Sequence, residues 1–303
     1  MNAVLLEQVC KSFGRVHAVD NLSVQVPTGS IYGFLGPNGA GKTTTLRMIM
    51  NIIRPDSGRI EIFKDGLIEK VKTRIGYMPE ERGLYRKMTV SKILAYLAVL
   101  KGVPSEKVSA SVSRCLQQIQ LSSWADKKVE DLSRGMHQKL QFAVAVINEP
   151  ELLIFDEPFS GLDPLNQELL KNIILEMRSE GRTIIFSTHV MHEAEKLCDC
   201  ILLINKGKTI LDGNLARIRS RYRSRAVCVE AQGSTDFIER LPIVTKVQTQ
   251  QNQLEITLTE DADPQDLLEA LVQKVRVQKF EVKVPSLHEI FVNSVGADNV
   301  QDS

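Results

Sequence analysis

The chain has no apolar run approaching the roughly 20 residues that a bilayer-spanning helix requires. Its densest stretches, "LLIF" (152–155) and "ILLI" (201–204), suit short buried strands. A role at a membrane would need another chain to do the spanning. Cysteine is sparse: Cys10, Cys115, Cys198, Cys200 and Cys228 lack metal-type spacing and fall short of a disulfide framework, which predicts a reduced, cytosolic setting. An excess of charge of one sign is missing as well. With 38 basic and 37 acidic residues the formal charge is +1, so no global field draws the chain to nucleic acid or to a lipid surface. The first residues, "MNAVLLEQVCKSF", place Glu7 inside an apolar run without a basic leader, unlike a signal peptide. There are no internal repeats and no low-complexity tract.

What is present is a chain of 303 residues, enough for one large domain and a small one. Its first two-thirds alternate strand and helix signals. "SIYGFLG" reads as a strand, "KTTTLRMIMNII" as a helix stopped near Pro55, and "GRIEIF" and "TRIGYMP" as short strands. From about residue 88 to 148 the periodicity is helical, and strands return at "ELLIFDEP", "TIIFST" and "CILLINKGK". This predicts a parallel α/β core with a helical insert. Near residue 215 the character changes. "RIRSRYRSR" spaces arginines at every second position from Arg217 to Arg225, and beyond it the pattern reads β-α-β-β-α-β, with "STDFIERL" as the first helix and "SLHEIFVNSVG" as a last one. The expected division is therefore 1–215 and a small α+β domain over 216–303.

One short stretch carries a specific chemistry. "GPNGAGKT" fits G-x-x-x-x-G-K-[ST] through Gly36, Pro37, Asn38, Gly39, Ala40, Gly41, Lys42 and Thr43, with Thr44 following, directly between a strand and a helix. Bare backbone lets successive N–H groups curl around an anion, and the helix N-terminus adds its positive dipole end. Lys42 is placed to neutralise β- and γ-phosphate oxygens, and the Thr43 hydroxyl to ligate Mg²⁺.

Four further places extend the motif. "ELLIFDEP" ends a buried strand on Asp156, a candidate Mg²⁺ carboxylate, and Glu157, a candidate general base; alone, two carboxylates there also describe an ordinary solvated strand end. "FSTHV" sends His189 toward the same crevice, where an imidazole can bond a γ-phosphate; with His192 one turn on, a metal site is the rival reading. In "DLSRGMHQK", Ser133 and Gly135 stand at a second anion-receptive helix start or at a plain N-cap. In "SGLD", Asp163 precedes Pro164 as an N-cap with proline at N1.

The order and spacing of these pieces resembles the ATP-binding subunits of ABC transporters over residues 1 to about 215, a P-loop NTPase core with a helical insert. "GPNGAGKTT" resembles their Walker A, "LLIFDEP" their Walker B, "SGLD" their D-loop, His189 their switch histidine, and "LSRGM" stands where the signature reads LSGGQ. The resemblance implies ATP and Mg²⁺ as ligands and a head-to-tail pair of ATPase subunits, most simply a homodimer. In it Ser133 and Gly135 would touch the γ-phosphate held by the partner chain. Glu157 would polarise the water, His189 would stabilise the transferring phosphate, and Asp163 would couple the two sites. Phe13 falls where the family stacks an aromatic on adenine, although a core role is equally open from the residue alone.

The family's loop glutamine is replaced here by Glu80 in "GYMPEERGLY", and the signature carries Arg134 and Met136 in place of glycine and glutamine. The tail ending in "VPSLHEIFVNSVG", together with "GYMPEERGLY", resembles the ATPase subunits of bacterial ABC-2-type exporters, the antibiotic-resistance and sodium-efflux group. That implies a separate transmembrane permease and a peripheral position on the cytoplasmic face of the membrane. The alternating arginines either face anionic headgroups or form a solvated linker. "KILAYLAVL" (92–100) is either core or part of a groove for a partner helix. The competing functions are a soluble ABC-type ATPase acting on ribosomes or DNA, against which the single cassette and near-neutral charge argue, and a P-loop kinase, against which "LSRGM" and His189 argue.

Overall fold

The computed structural model describes residues 1–63, 71–81, 83–221, 226–250, 253–259, 261–283, 285–292 and 294. Arg223 and Arg225 of the arginine run, and the end of the last expected helix, lie outside them. The chain divides into two compact units, Met1–Leu215 and Ala216–Ser303.

The first unit is built on a six-stranded sheet in the order β5-β6-β7-β3-β8-β9. Its members are β3 (Ile31–Leu35), β5 (Ile75–Met78), β6 (Leu152–Asp156), β7 (Thr183–Thr188), β8 (Cys200–Asn205) and β9 (Lys208–Asn214). β5, β6, β7, β3 and β8 run parallel, while β9 returns antiparallel to β8. The "IYGFL", "LLIFD" and "TIIFST" segments are buried at every residue, as expected of strands covered on both faces. Helix α1 (Lys42–Ile49) follows β3, and α2 (Val90–Leu100), α3 (Ser105–Gln118) and α4 (Arg134–Val146) form the insert between β5 and β6. Helices α5 (Pro164–Ser179) and α6 (Met191–Leu197) connect β6 to β7 and β7 to β8.

A second, antiparallel sheet in the order β2-β1-β4 was not anticipated: β1 (Asn2–Phe13) and β2 (Val16–Pro27) form a long hairpin and β4 (Ser57–Ile62) joins β1. Val4, Leu6, Val9, Val24 and Ile62 from this sheet pack with Leu46 and Ile49 of α1 and with Tyr32, Phe34, Ile154, Ile185 and Leu202 of the parallel sheet in one continuous core. The glycine loop is thus held between two sheets.

In the second unit, α7 (Leu215–Arg221) leads to four antiparallel strands in the order β11-β12-β10-β13. These are β10 (Ala226–Gln232), β11 (Val244–Gln250), β12 (Gln253–Leu258) and β13 (Arg276–Val282), with α8 (Pro264–Val272) before the last. The helix expected at "STDFIERL" is reduced to a 3₁₀ turn, Ile238–Arg240. Pro242 follows Leu241, and a residue before proline is driven out of the helical region; Leu241 has ψ 130°. Val227, Val229, Ile256, Leu258, Leu267 and Leu271 form this unit's own core. Residues 287–292 are helical and begin with a reciprocal cap: the Glu289 N–H donates to Ser286 Oγ at 3.2 Å and the Ser286 N–H to Glu289 Oε2 at 2.7 Å.

Candidate active site

Strands β3, β6 and β7 end at the same level, with Leu35 beside Thr188 and Asp156 beside Ser187. The functional side chains leave from that edge. The chain turns from β3 into α1 through Gly36 (φ 151°), Gly39 (φ 78°) and Gly41 (φ 107°), a backbone that only glycine adopts readily. Space requires glycine too: a Cβ on Gly36 would collide with the Ile204 carbonyl oxygen, and one on Gly41 with that of Ala18 in β2. Pro37, Asn38 and Gly39 are exposed at the tip, Ala40 is buried, and Thr44 is half-buried at the start of α1.

Lys42 is 6% exposed. Its ammonium donates to the carbonyls of Gly36 at 2.8 Å and Pro37 at 3.1 Å, and stands 3.8 Å from Glu157 Oε1. Burial pulls its pKa below that of free lysine, while Glu157, Asp156 and Glu80 pull the other way. Glu80, itself exposed on the loop after β5, is therefore within electrostatic reach of the lysine. The same loop is tied down next door, where the Glu81 carboxylate accepts from Arg47 Nη2 at 3.0 Å.

Asp156 is fully buried. Its Oδ1 accepts from Ser187 Oγ at 2.5 Å and from Thr43 Oγ1 at 3.2 Å, whereas Oδ2 is buried without a partner among the described residues. A carboxylate with one orphaned oxygen beside a threonine hydroxyl is a donor set suited to a hard cation such as Mg²⁺. Glu157 is 8% exposed and has φ 51°, a left-handed conformation rare for glutamate. Its N–H donates to Ser187 Oγ at 3.0 Å. Its carboxylate meets His189 Nδ1 at 3.0 Å, and the His189 side chain is half-exposed, so one face of the pair is open to solvent.

The remaining predicted residues fall in two other places. Phe13 ends β1 and is 51% exposed, which removes the core reading; the Lys11 ammonium lies 5.6 Å from its ring centroid. Ser133 caps α4, accepting from the Met136 N–H at 3.3 Å. Asp163 caps α5, accepting from Asn166 N at 2.9 Å and Asn166 Nδ2 at 2.6 Å, bonds that hold its carboxyl below the usual range. A Cβ on Gly135 would touch Leu162 at 3.4 Å and the Gly161 carbonyl at 3.7 Å, and the Arg134 side chain lies across Gly161. The signature turn and the "SGLD" loop therefore form one surface of the chain.

Two contributors escaped the sequence reading. Ser187 bridges Asp156 and the Glu157 N–H, and its signal was position: it lies near the end of β7, two residues before His189, which follows the strand. Gln138, 3% exposed, donates from Nε2 to the carbonyls of Glu157 at 3.2 Å and Pro158 at 3.1 Å. Its signal was an amide among the buried positions of α4.

Residues 19–160 match the model of the ABC transporter family, and residues 213–295 match that of the C-terminal domain of DrrA1-3-like ATP-binding proteins. An uncharacterised ABC transporter ATP-binding protein of Bacillus subtilis (strain 168) is 38% identical over 292 residues, covering 96% of this chain and 98% of its own. The Nod factor export ATP-binding protein I of a Rhizobium species is 31% identical over 301 residues, 98% of each chain. Among solved structures, an ATP-binding subunit of an ABC transporter superposes with a TM-score of 0.68 at 28% identity, over 73% of this chain and 93% of its own. The fold and the site define a P-loop ATPase, an enzyme that binds and hydrolyses ATP. Within that class the chain belongs to the ATP-binding subunits of ABC transporters, and its C-terminal extension matches the DrrA-like group.

Proposed function

We propose that this subunit hydrolyses Mg²⁺-bound ATP in a head-to-tail pair and thereby drives export through a separate transmembrane permease. The observation that carries the reading is the convergence of Lys42, Thr43, Asp156, Glu157 and His189 on one sheet edge. Ser133 and Gly135 belong to the turn that opens α4, beside the "SGLD" loop, and on this reading they serve a second copy.

In the proposed reaction the backbone N–H groups of residues 36–44 and the Lys42 ammonium cradle the phosphates. Thr43 and the unpartnered oxygen of Asp156 would hold Mg²⁺, which when bound would supply neutralisation of phosphate charge. Glu157 accepts a proton from the attacking water as its oxygen bonds to the γ-phosphorus. The bond between the γ-phosphorus and the bridging oxygen breaks, and ADP leaves with that electron pair. His189, bonded to Glu157, is placed to orient the water and to stabilise charge on the γ-phosphate. Ser133 and Gly135 of the second copy close the γ-phosphate from the other side, with Asp163 beside them. Phe13 offers a free ring face to the adenine, and Glu80 tunes the field at Lys42.

Export is supported by relatives that carry it in their names, and a permease by the need for a spanning partner: no helix among the described residues is long and apolar enough to cross a membrane. The subunit would sit on the cytoplasmic face of that permease. Isolation from native membranes in mild detergent tests this. A polytopic membrane protein in fixed stoichiometry is expected; recovery only with ribosomes or nucleic acid would discard transport and keep the ATPase.

A further inference from the structure

We infer that Gln138 is a positioning residue for the Glu157 carboxylate, acting by fixing the peptide turn from which that side chain leaves. The inference rests on the reading of Glu157 as the general base and adds the element that aims it. Glu157 is the residue after strand β6 and has a left-handed φ of 51°. Holding the carbonyl fixes the backbone from which the Cα–Cβ bond leaves, and the backbone in turn selects the rotamers open to the side chain.

Three hydrogen bonds act on that carbonyl and its neighbour: the Ser160 N–H closes the local turn onto Glu157 O at 3.2 Å, and Gln138 supplies the two that come from another element. Gln138 Nε2 reaches Glu157 O at 3.2 Å and Pro158 O at 3.1 Å, so both of its protons are directed to adjacent carbonyls. The other end of the peptide is held by Ser187, which receives the Glu157 N–H at 3.0 Å. Ser187 comes from the sheet and Gln138 from the insert, five residues after Ser133 on α4.

A second glutamine one turn further on makes the arrangement systematic. Gln141, 4% exposed, donates from Nε2 to the Glu81 carbonyl at 2.9 Å, in the loop that carries Glu80. One helix, capped by Ser133, thus registers both the loop that carries Glu157 and the loop that carries Glu80. Docking a nucleotide against Ser133 in the paired molecule would bear on the same rigid body that aims Glu157. Burial of an amide here supplies a donor to the Pro158 carbonyl and a second donor to the Glu157 carbonyl, whose loss in the interior would cost free energy.

The test uses the full chain carrying Gln138→Leu, and Gln138→Met as an unbranched substitute should Leu fail to fold, each alone and with Glu157→Gln. Thermal melting checks that each variant is folded, and steady-state assays give kcat and KM for ATP. Loss of aim predicts a fall in kcat on the order of 10- to 100-fold with KM within about threefold of the parent. In the Glu157→Gln background the same change should alter the residual rate by less than about twofold, because its effect passes through the missing carboxylate. A folded variant with unchanged kcat overturns the inference, as does a loss that persists in full beside Glu157→Gln or a rise in KM that accounts for it. Normal hydrolysis by Glu157→Gln alone would remove the general-base reading itself, and the inference with it.

Discussion

In the N-terminal unit Lys42, Lys101 and Lys139 have pKa values below that of free lysine, because burial strips water from the ammonium. In the C-terminal sheet Lys279 and Lys283 have values above it, because Glu281 and Glu255 stand 2.7 Å away at the surface and favour the charged form. The first group is held in place by the fold at a cost. Lys42 sits under the glycine loop, Lys101 donates to the last carbonyls of α4 at Val144 (2.7 Å) and Ala145 (3.4 Å), and Lys139 is buried with Asp163 in electrostatic reach. The second group decorates a free sheet face that needs solvation. A buried cation marks where charge has a task, chemical or structural, whereas exposed pairs keep a sheet soluble and contribute little.

Three substitutions press on that contrast. The largest effect belongs to Lys42→Ala, which should lower ATP hydrolysis by at least about 100-fold; turnover near the parent rate would mean that the phosphate cradle is misread. The next is a slope rather than a loss. The Lys101 pKa is lowered to about 8 in the folded chain, below its unfolded value of about 10.5, so between those values the unfolded chain binds more protons and stability rises with pH. Relative to Lys101→Met, the parent should gain on the order of 1 kcal/mol from pH 7.5 to pH 10 in urea titrations, a figure kept modest because the lysine stem is partly exposed. A pH-independent difference would show that the ammonium is not buried in solution. The smallest effect is expected from Lys279→Ala, which should leave both the urea midpoint and the ATPase rate at the parent values. A loss there would erase the distinction between the two units.

The parts legible in the sequence are those whose chemistry forces both residue type and spacing. The glycine loop needed Gly36 and Gly41 because carbonyl oxygens occupy the space of a side chain, and "LLIFDEP" needed four apolar residues to carry Asp156 into the interior. The antiparallel sheet was hidden because its alternation is broken. Gln8 and Asn21 both take positive φ, at 50° and 53°, and the β1–β2 register shifts between Leu6 and Val9, so no uninterrupted period of two runs along β1. Ser187 and Gln138 were hidden for a different reason. A serine in a strand and a glutamine in a helix are unremarkable until the fold shows which backbone groups they face. The helix expected at "STDFIERL" failed through Pro242, a local signal that the apolar pattern of "DFIERL" outweighed.

The central claim is that Glu157 activates water within a pair of chains that ATP holds together. Glu157→Gln should therefore bind ATP, hydrolyse it slowly and persist as a dimer, seen in size-exclusion chromatography with light scattering as twice the monomer mass in ATP and the monomer mass without it. A Glu157→Gln chain that remains monomeric in saturating ATP and hydrolyses at the parent rate would contradict the account.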